Sequence, residues 1–291
     1  MKEALQPLSL EEAKKIQLDI LDRVVHFCEE NNILYGLYAG TLIGCIRHKG
    51  YIPWDDDIDL YMLRPYYERF LETFSSEFLS LHHYSNRKDY QLPFIKVDDT
   101  RTCQEENWYN KKARIGINID IFPIDAYPDD PVARASKINT LHTLRDRIGA
   151  LVGECRIQSQ PFFSRSKIKF LIRHLLRFKL RKALNAAFCN SQPLVLKYNK
   201  KIDEVAKQDC NGDYKMVGNC IWGYGEKEPS LTDNFTKTTI GEFEGKWYRI
   251  PIGFHDYLSS VYGDYMQPPP EEERITHHHD YNYYKLVRTS K

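Results

Sequence analysis

The sequence predicts an α/β (α+β) fold, a mixed sheet flanked by helices, and three observations lead there. Residues 33–60 read as strand, glycine turn, helix and acidic strand, residues 115–122 as a second, isoleucine-rich strand, and residues 9–31 repeat apolar side chains at helical spacing. With 291 residues and 42% hydrophobic content, the chain is long enough to bury a sizeable core in one large or two small domains. We divide it into a core over 1–130, a basic helical region over 131–210, and a C-terminal α+β segment over 211–291 that packs on the core and completes its site.

Taken in order, Ser9 caps the first helix and Glu12 completes a capping box, while Ile16, Ile20, Leu21, Val24, Val25 and Cys28 form its apolar face. Asn31-Asn32 ends it. Ile33 to Tyr38 then reads as a short strand, Gly40-Thr41 as a turn, and Thr41 to Arg47 as a helix. Pro65 to Phe78 is read as the next helix, with Tyr66, Phe70, Leu71 and Phe74 inward. Leu92 to Val97 is a strand that Asp98-Asp99 ends in a turn. In Ile115 to Phe122 the isoleucines point one way and Gly116, Asn118, Asp120 and Phe122 the other; Pro123 closes the strand, leaving Asp125 in the following loop. After Asn211 strands and turns return, with a hairpin over Ile240 to Pro251 turning at Glu244-Gly245, then a short helix from Phe254 to Tyr262.

The chemistry concentrates in Trp54-Asp55-Asp56-Asp57-Ile58-Asp59-Leu60. If the segment is a strand, Asp55, Asp57 and Asp59 share one face. Carboxylates that close repel, so at neutral pH they must be protonated, separated by water or neutralised by a cation. Ile52, Trp54, Ile58, Leu60 and Met62 bracket them with apolar residues that a solvated acidic loop would not need. Asp120, alone among apolar neighbours on a second strand, also needs a partner. Oxygen-only donors favour Mg²⁺, with Mn²⁺ as the alternative, and such ions commonly bring phosphates with them.

Gly40 and Gly44 lie where a backbone could approach a phosphate, and the helix start there offers free N–H groups. Arg47 suits bidentate phosphate contact, although Arg47-His48-Lys49 also reads as a solvated helix end. His48 could serve as a general base, which a metal-activated hydroxyl would not require. Lys96, inside a strand, either faces a polar site and its phosphates or snorkels to the surface.

The net charge of +1 excludes a global attraction to nucleic acid or membrane. Seven scattered cysteines form no zinc spacing and read as reduced thiols of a cytosolic protein. Residues 1–21 lack the apolar stretch of a signal peptide, and no run reaches the ~18 apolar residues of a membrane span. Between Arg156 and Ile202 there is no acidic residue, and residues 165–182 interleave eight Lys and Arg with apolar side chains. That basic amphipathic pattern suits an anionic membrane surface, or a helix packing its apolar stripe on the core. Trp108, Tyr109, Trp222, Tyr224, Trp247 and Tyr248 are candidates for holding a quaternary ammonium group by cation–π contact. His277-His278-His279 cannot converge on one ion from regular structure.

Tyr38 to Met62 (YAGTLIGCIRHKGYIPWDDDIDLYM), with Phe243-Glu244-Gly245, Ile250-Pro251 and Tyr262-Gly263-Asp264-Tyr265-Met266 near the end, resembles the LicD family of phosphocholine transferases. That family shares the first block with fukutin-related protein and belongs to the nucleotidyltransferase superfamily. The resemblance implies a nucleotidyltransferase-like core, with metal-binding Asp57 and Asp59, third carboxylate Asp120, glycine turn Gly40-Thr41 and a further acidic position at Asp55. It also implies transfer of phosphocholine from CDP-choline to a glycan of a lipid-linked cell-surface precursor, of teichoic acid or lipopolysaccharide type.

The combined expectation is a Mg²⁺-dependent transferase in which Asp57, Asp59 and Asp120 are catalytic, Asp55 joins them as metal ligands, and Gly40, Thr41, Gly44, Arg47, His48 and Lys96 contact substrate. It is cytoplasmic, peripheral on the membrane through residues 165–182, and has no nucleic-acid partner. Two rivals remain open: the same core transferring ribitol phosphate or a nucleoside monophosphate, and a non-catalytic membrane-associated scaffold.

Overall fold

The computed structural model describes residues 2–105, 114–158, 168–169, 191–209, 213–276 and 281–289. Helix α1 (Leu10–Glu30) is started by the expected capping box: Ser9 Oγ accepts from the Glu12 N–H, and the Glu12 carboxylate accepts from the Ser9 N–H. Its buried Ile20, Leu21, Val24 and Cys28 lie on the central sheet.

That sheet is mixed. Its main path runs β2 (Gly36–Leu37), β3 (Asp59–Leu63), β7 (Asn118–Tyr127), β5 (Ile95–Asp99) and β4 (Leu79–His82), and β8 (Met216–Gly218) and β9 (Ser230–Leu231) extend it from the far end of β7. Strands β3 and β7 are parallel neighbours, and β7 is antiparallel to β5. Helices α2 (Ala39–Ile43) and α3 (Arg64–Thr73) flank β3. A hairpin of β10 (Thr238–Phe243) and β11 (Lys246–Pro251) turns at Glu244 and Gly245 as expected, and docks on the segment before the acids: Glu244 donates its N–H to the Lys49 carbonyl and accepts from the Tyr51 N–H. A separate antiparallel sheet joins β1 (Lys2–Leu8), β12 (Asn282–Thr289) and β6 (Thr102–Glu105), so both ends of the chain meet.

One apolar core runs from Ile20 to Tyr265 and includes Phe243, Ile250, Tyr257 and Leu258. A second packs α4 (Pro131–Gln158) on α5 (Gln192–Ala206) through Ile138, Leu141, Ile148, Val195 and Ile202. Short helix α6 (Thr232–Thr236) precedes the hairpin and α7 (Phe254–Tyr262) follows it. Among the described residues no helix is long and apolar enough to cross a membrane. Apart from residues 168–169, the basic run 165–182 lies outside the described residues, as do His277-His279, Trp108 and Tyr109.

Several local expectations are corrected. Residues 55–58 are not strand; β3 begins at Asp59, after a turn in which the Asp55 N–H donates to the Ile52 carbonyl across Pro53-Trp54. Strand β7 continues through Pro123 to Tyr127. Pro123 is tolerated because β5 pairs with β7 only up to Ile121 and β8 begins at Asp125, so the missing N–H falls in the gap. Asp125 is therefore a strand residue, fully buried, and its carboxylate takes two hydrogen bonds from Arg64 (2.6 and 2.7 Å). Asp98 and Asp99 likewise belong to β5: Asp98 accepts from the Gly116 N–H and faces His82 at 2.9 Å, and Asp99 accepts from Arg101. The expected 65–78 helix stops at Thr73, and the 33–38 strand shrinks to two residues.

Candidate active site

The acids meet at one end of the sheet, by a route the alternation argument did not foresee. Asp59 opens β3 and Asp120 stands opposite it in register on parallel β7, so their side chains leave the same face. Lys96 is the next residue along the same rung, paired with Asp120 across β5 and β7. Its buried ammonium donates to Asp120 Oδ1 at 2.6 Å and to Asn118 Oδ1 at 2.8 Å. Asp55 and Asp57 come from the irregular segment that folds over the end of β3. Asp55, Asp56 and Asp57 each bring a carboxylate oxygen within 4.8 Å of the others. Asp56 was not anticipated; it is buried, and its Oδ2 accepts from Tyr283 on the C-terminal strand.

Two clefts meet at these acids. The larger, about 520 Å³, is lined by Gly40, Arg47, Asp55, Asp57 and Asp59 together with residues of the C-terminal stretch 262–273. The smaller, about 20 Å³, holds Asp56, Asp120 and Lys96. Asp57 borders both.

Burial, and then the negative charge of Asp57, push Asp55 up to about 8. Burial and the carboxylates of Asp57, Asp120 and Asp55 hold Asp59 well above the usual range, with Lys96 opposing. These shifts are what crowded carboxylates produce when the charges of their neighbours and burial outweigh the single ammonium of Lys96. Its donors are all oxygen, which suits a hard divalent cation such as Mg²⁺ or Mn²⁺.

The neighbouring glycine turn works differently from the expectation. The left-handed residue is Ala39 (φ 44°), on the cleft wall, where a non-glycine residue stores strain. Gly40 is needed for space, since a Cβ there would sit 2.7 Å from an Asp55 carboxylate oxygen. Gly44 is buried away from the cleft, where a Cβ would meet the Gly50 carbonyl oxygen at 2.4 Å; its role is packing. Thr41 is buried too. Its hydroxyl accepts from the Asp59 N–H at 2.8 Å while the Asp59 carbonyl accepts from the Tyr38 N–H, so the turn grips the backbone of the acid.

Arg47, on the π-helical turn Gly44–His48 that follows α2, lines the large cleft. It donates to the Tyr265 carbonyl and to His48 Nε2. Burial and the nearby Arg274 lower its pKa from the ordinary value. His48 is held against Arg47 and Trp54 instead of lining the cleft, and burial and Arg47 lower its pKa. Arg274, which sequence reasoning missed, lies over the Trp54 ring at 5.4 Å.

Of the four described aromatic candidates, only Tyr224 lines the large cleft. Trp222 packs on Phe94, Trp247 is exposed on the hairpin and Tyr248 donates to Asp22. Tyr262, Tyr265 and Trp54 line it instead. The first two belong to the Tyr262-Gly263-Asp264-Tyr265 stretch already singled out, which gave the signal without the role. Glu228 ties this side to the glycine turn, accepting from the Tyr224 N–H and the Tyr38 hydroxyl.

A mixed sheet that presents acids from two parallel strand ends beside a short helix defines a nucleotidyltransferase-like α+β fold. Residues 32–143 match the family profile described as "LicD/FKTN/FKRP, nucleotidyltransferase domain". The chain is 32% identical over 283 residues to the lipopolysaccharide cholinephosphotransferase LicD of Haemophilus influenzae, covering 94% of this chain and 97% of that one. Shorter matches join it to uncharacterized proteins of Rickettsia typhi (42% over 52 residues, 18% of this chain and 17% of the other) and Rickettsia prowazekii (55% over 31 residues, 11% and 12%). The chain belongs to the LicD family.

Proposed function

We propose that this protein transfers phosphocholine from CDP-choline to a sugar of a lipopolysaccharide-type acceptor, with a divalent cation held by the acids. The observation that carries the reading is the Asp59–Asp120 rung with Asp57 at the junction of two clefts, in a chain similar from end to end to a lipopolysaccharide cholinephosphotransferase. Asp57, Asp59 and Asp120, with Asp55 beside them, are the residues that would hold Mg²⁺ or Mn²⁺. Bound there, such an ion would supply positive charge against the donor diphosphate and the departing CMP and would lower the pKa of the acceptor hydroxyl.

The chain's own groups do the rest. Thr41 and Tyr38 fix the Asp59 backbone, and Lys96 holds the Asp120 carboxylate in place by donating to its Oδ1. Arg47, which lines the large cleft and is held there by the Tyr265 carbonyl, meets a phosphate oxygen of the donor. The acceptor oxygen bonds to the choline-bearing phosphorus as the bond to the CMP oxygen breaks. Docking of the basic segment 165–182 on an anionic leaflet would bring the site to a lipid-linked acceptor at the cytoplasmic face of the membrane.

The test is incubation of the purified protein with CDP-choline, Mg²⁺ and a lipopolysaccharide acceptor. CMP and phosphocholine-modified glycan are the expected products, and Asp57→Asn and Asp59→Asn should each lower the rate by at least about 100-fold, the scale of losing one electrostatic stabiliser. Release of pyrophosphate from a nucleoside triphosphate would instead assign nucleotidyl transfer. CMP released from CDP-ribitol but not from CDP-choline would reassign the donor alcohol.

A further inference from the structure

We propose that Tyr224, Tyr262 and Tyr265, together with Asp264, form the subsite that recognises the quaternary ammonium group of the donor and so determine the choice of alcohol. The inference rests on the phosphocholine reading above and adds to it the residues that select choline.

All four side chains line the large cleft that also carries Asp57 and Asp59. Tyr224 and Tyr262 meet edge to face, ring centroids 5.4 Å apart with 67° between planes, and the Tyr262 hydroxyl donates to the Tyr224 hydroxyl at 3.3 Å. That contact sets the two rings at an angle, which gives a corner instead of a flat wall. Tyr224, which lines the cleft, leaves 56% of its surface exposed, so its ring is open to a ligand there. Its backbone is fixed by Glu228, which itself holds Tyr38 beside the catalytic turn. Tyr265 is fixed in turn by His255, whose ring nitrogen lies 3.0 Å from the Tyr265 hydroxyl, while its carbonyl holds Arg47. One residue thus joins the proposed phosphate contact to the proposed ammonium contact, and phosphocholine carries those two charges a few bonds apart.

The chemistry fits a cation that cannot donate hydrogen bonds. A trimethylammonium group is attracted to the negative faces of aromatic rings and to nearby carboxylates, and sheds its weak hydration readily. The cleft already shows that kind of contact, since the Arg274 guanidinium lies over the Trp54 ring. Both tyrosines also feel the negative charge of Asp59, which places the corner next to the diphosphate end of the cleft. A cytosine ring could also stack on a tyrosine, but stacking a neutral base gains nothing from Asp264.

The test compares two donors that share cytidine and diphosphate and differ in charge: CDP-choline and its carbon isostere, CDP-3,3-dimethylbutanol. The ratio of their kcat/KM values, read from CMP release, isolates recognition of the positive charge. The wild-type protein should favour CDP-choline by about 10-fold or more, and Tyr224→Leu, Tyr262→Leu and Tyr265→Leu should each reduce the ratio by about 3- to 10-fold, a scale between that of an exposed and that of a fully desolvated cation–π contact. Tyr224→Phe and Tyr262→Phe, which keep the rings, should hold it within about 2-fold. Asp264→Asn should lower the ratio without removing any apolar surface, and serves with the Phe variants if a Leu variant fails to fold. Leu variants that slow both donors equally would mean the rings stack on cytidine, overturning the subsite. A wild-type protein that uses both donors equally would overturn it while leaving the transfer reaction intact. Absence of CMP from either donor, when another CDP-alcohol is consumed, would remove the phosphocholine reading and the subsite together.

Discussion

Without a divalent cation the acidic cluster should make the protein less stable as pH rises, and a cation should abolish that dependence. Asp55 has a folded pKa pushed up to about 8, against an ordinary carboxylate value when unfolded. Between those values the folded chain holds a proton that the unfolded chain has released. Stability therefore falls with rising pH, by at most about 1.4 kcal/mol per pH unit for one such group. Because Asp55 lines an open cleft where water screens it, half that slope is the working figure, so the loss from pH 5.5 to 7.5 is about 1.5 kcal/mol. For a chain of this size that lowers the melting midpoint by about 2–3 °C. The assay is a thermal melt across this range in a chelating buffer, repeated with millimolar Mg²⁺ or Mn²⁺. An ion at 100 times its dissociation constant would add about 2.7 kcal/mol at the upper pH and flatten the profile. Asp55→Asn, which removes the repelled charge, should flatten the metal-free profile on its own. A midpoint that rises through this range without metal, or a loss that neither ion nor Asp55→Asn relieves, would refute the claim that burial and the charge of Asp57 hold Asp55 protonated.

Two further outcomes follow from the same geometry. Arg64 is buried and binds Asp125 twice, Asp203 at 2.9 Å and Glu68 at 3.1 Å, pinning α5 to the sheet; Arg64→Met should cost about 3–5 kcal/mol in urea unfolding, because it strands buried carboxylates, and a loss under 1 kcal/mol would contradict that. Thr41→Val keeps the shape but leaves the Asp59 N–H without its acceptor, at about 1–3 kcal/mol. We expect it to reduce kcat with little change in donor KM; an unchanged kcat would show that Thr41 does not position Asp59.

The elements that were legible in the sequence are those whose causes lie within a few residues. The capping box of Ser9 and Glu12, the hairpin turning at Glu244-Gly245 and the helix ending at Gly263 each depend on a short stretch of backbone. The alternation rule failed at Asp55 and Asp57 for an equally local reason that went unread: the turn at Pro53-Trp54 delays the strand until Asp59. Pro123 misled in the opposite direction, since a proline ends a strand only where its missing N–H has a partner to lose, and that depends on where β5 stops and β8 starts.

By itself, then, the sequence determined the donor chemistry: oxygen ligands in quantity, glycines in the turn that precedes them, and aromatics with basic residues nearby. Only the tertiary structure decided which of these groups meet. Asp120 faces Asp59 because two distant strands pair in that register, Lys96 is committed to Asp120 because β5 lies on the other side, and Tyr262 instead of Trp247 reaches the cleft because α7 packs toward the acids while the hairpin points outward. Residue type is a local property of the chain, whereas proximity is set by long-range packing, and a charge acquires its partner, and therefore its function, only when the sheet has closed.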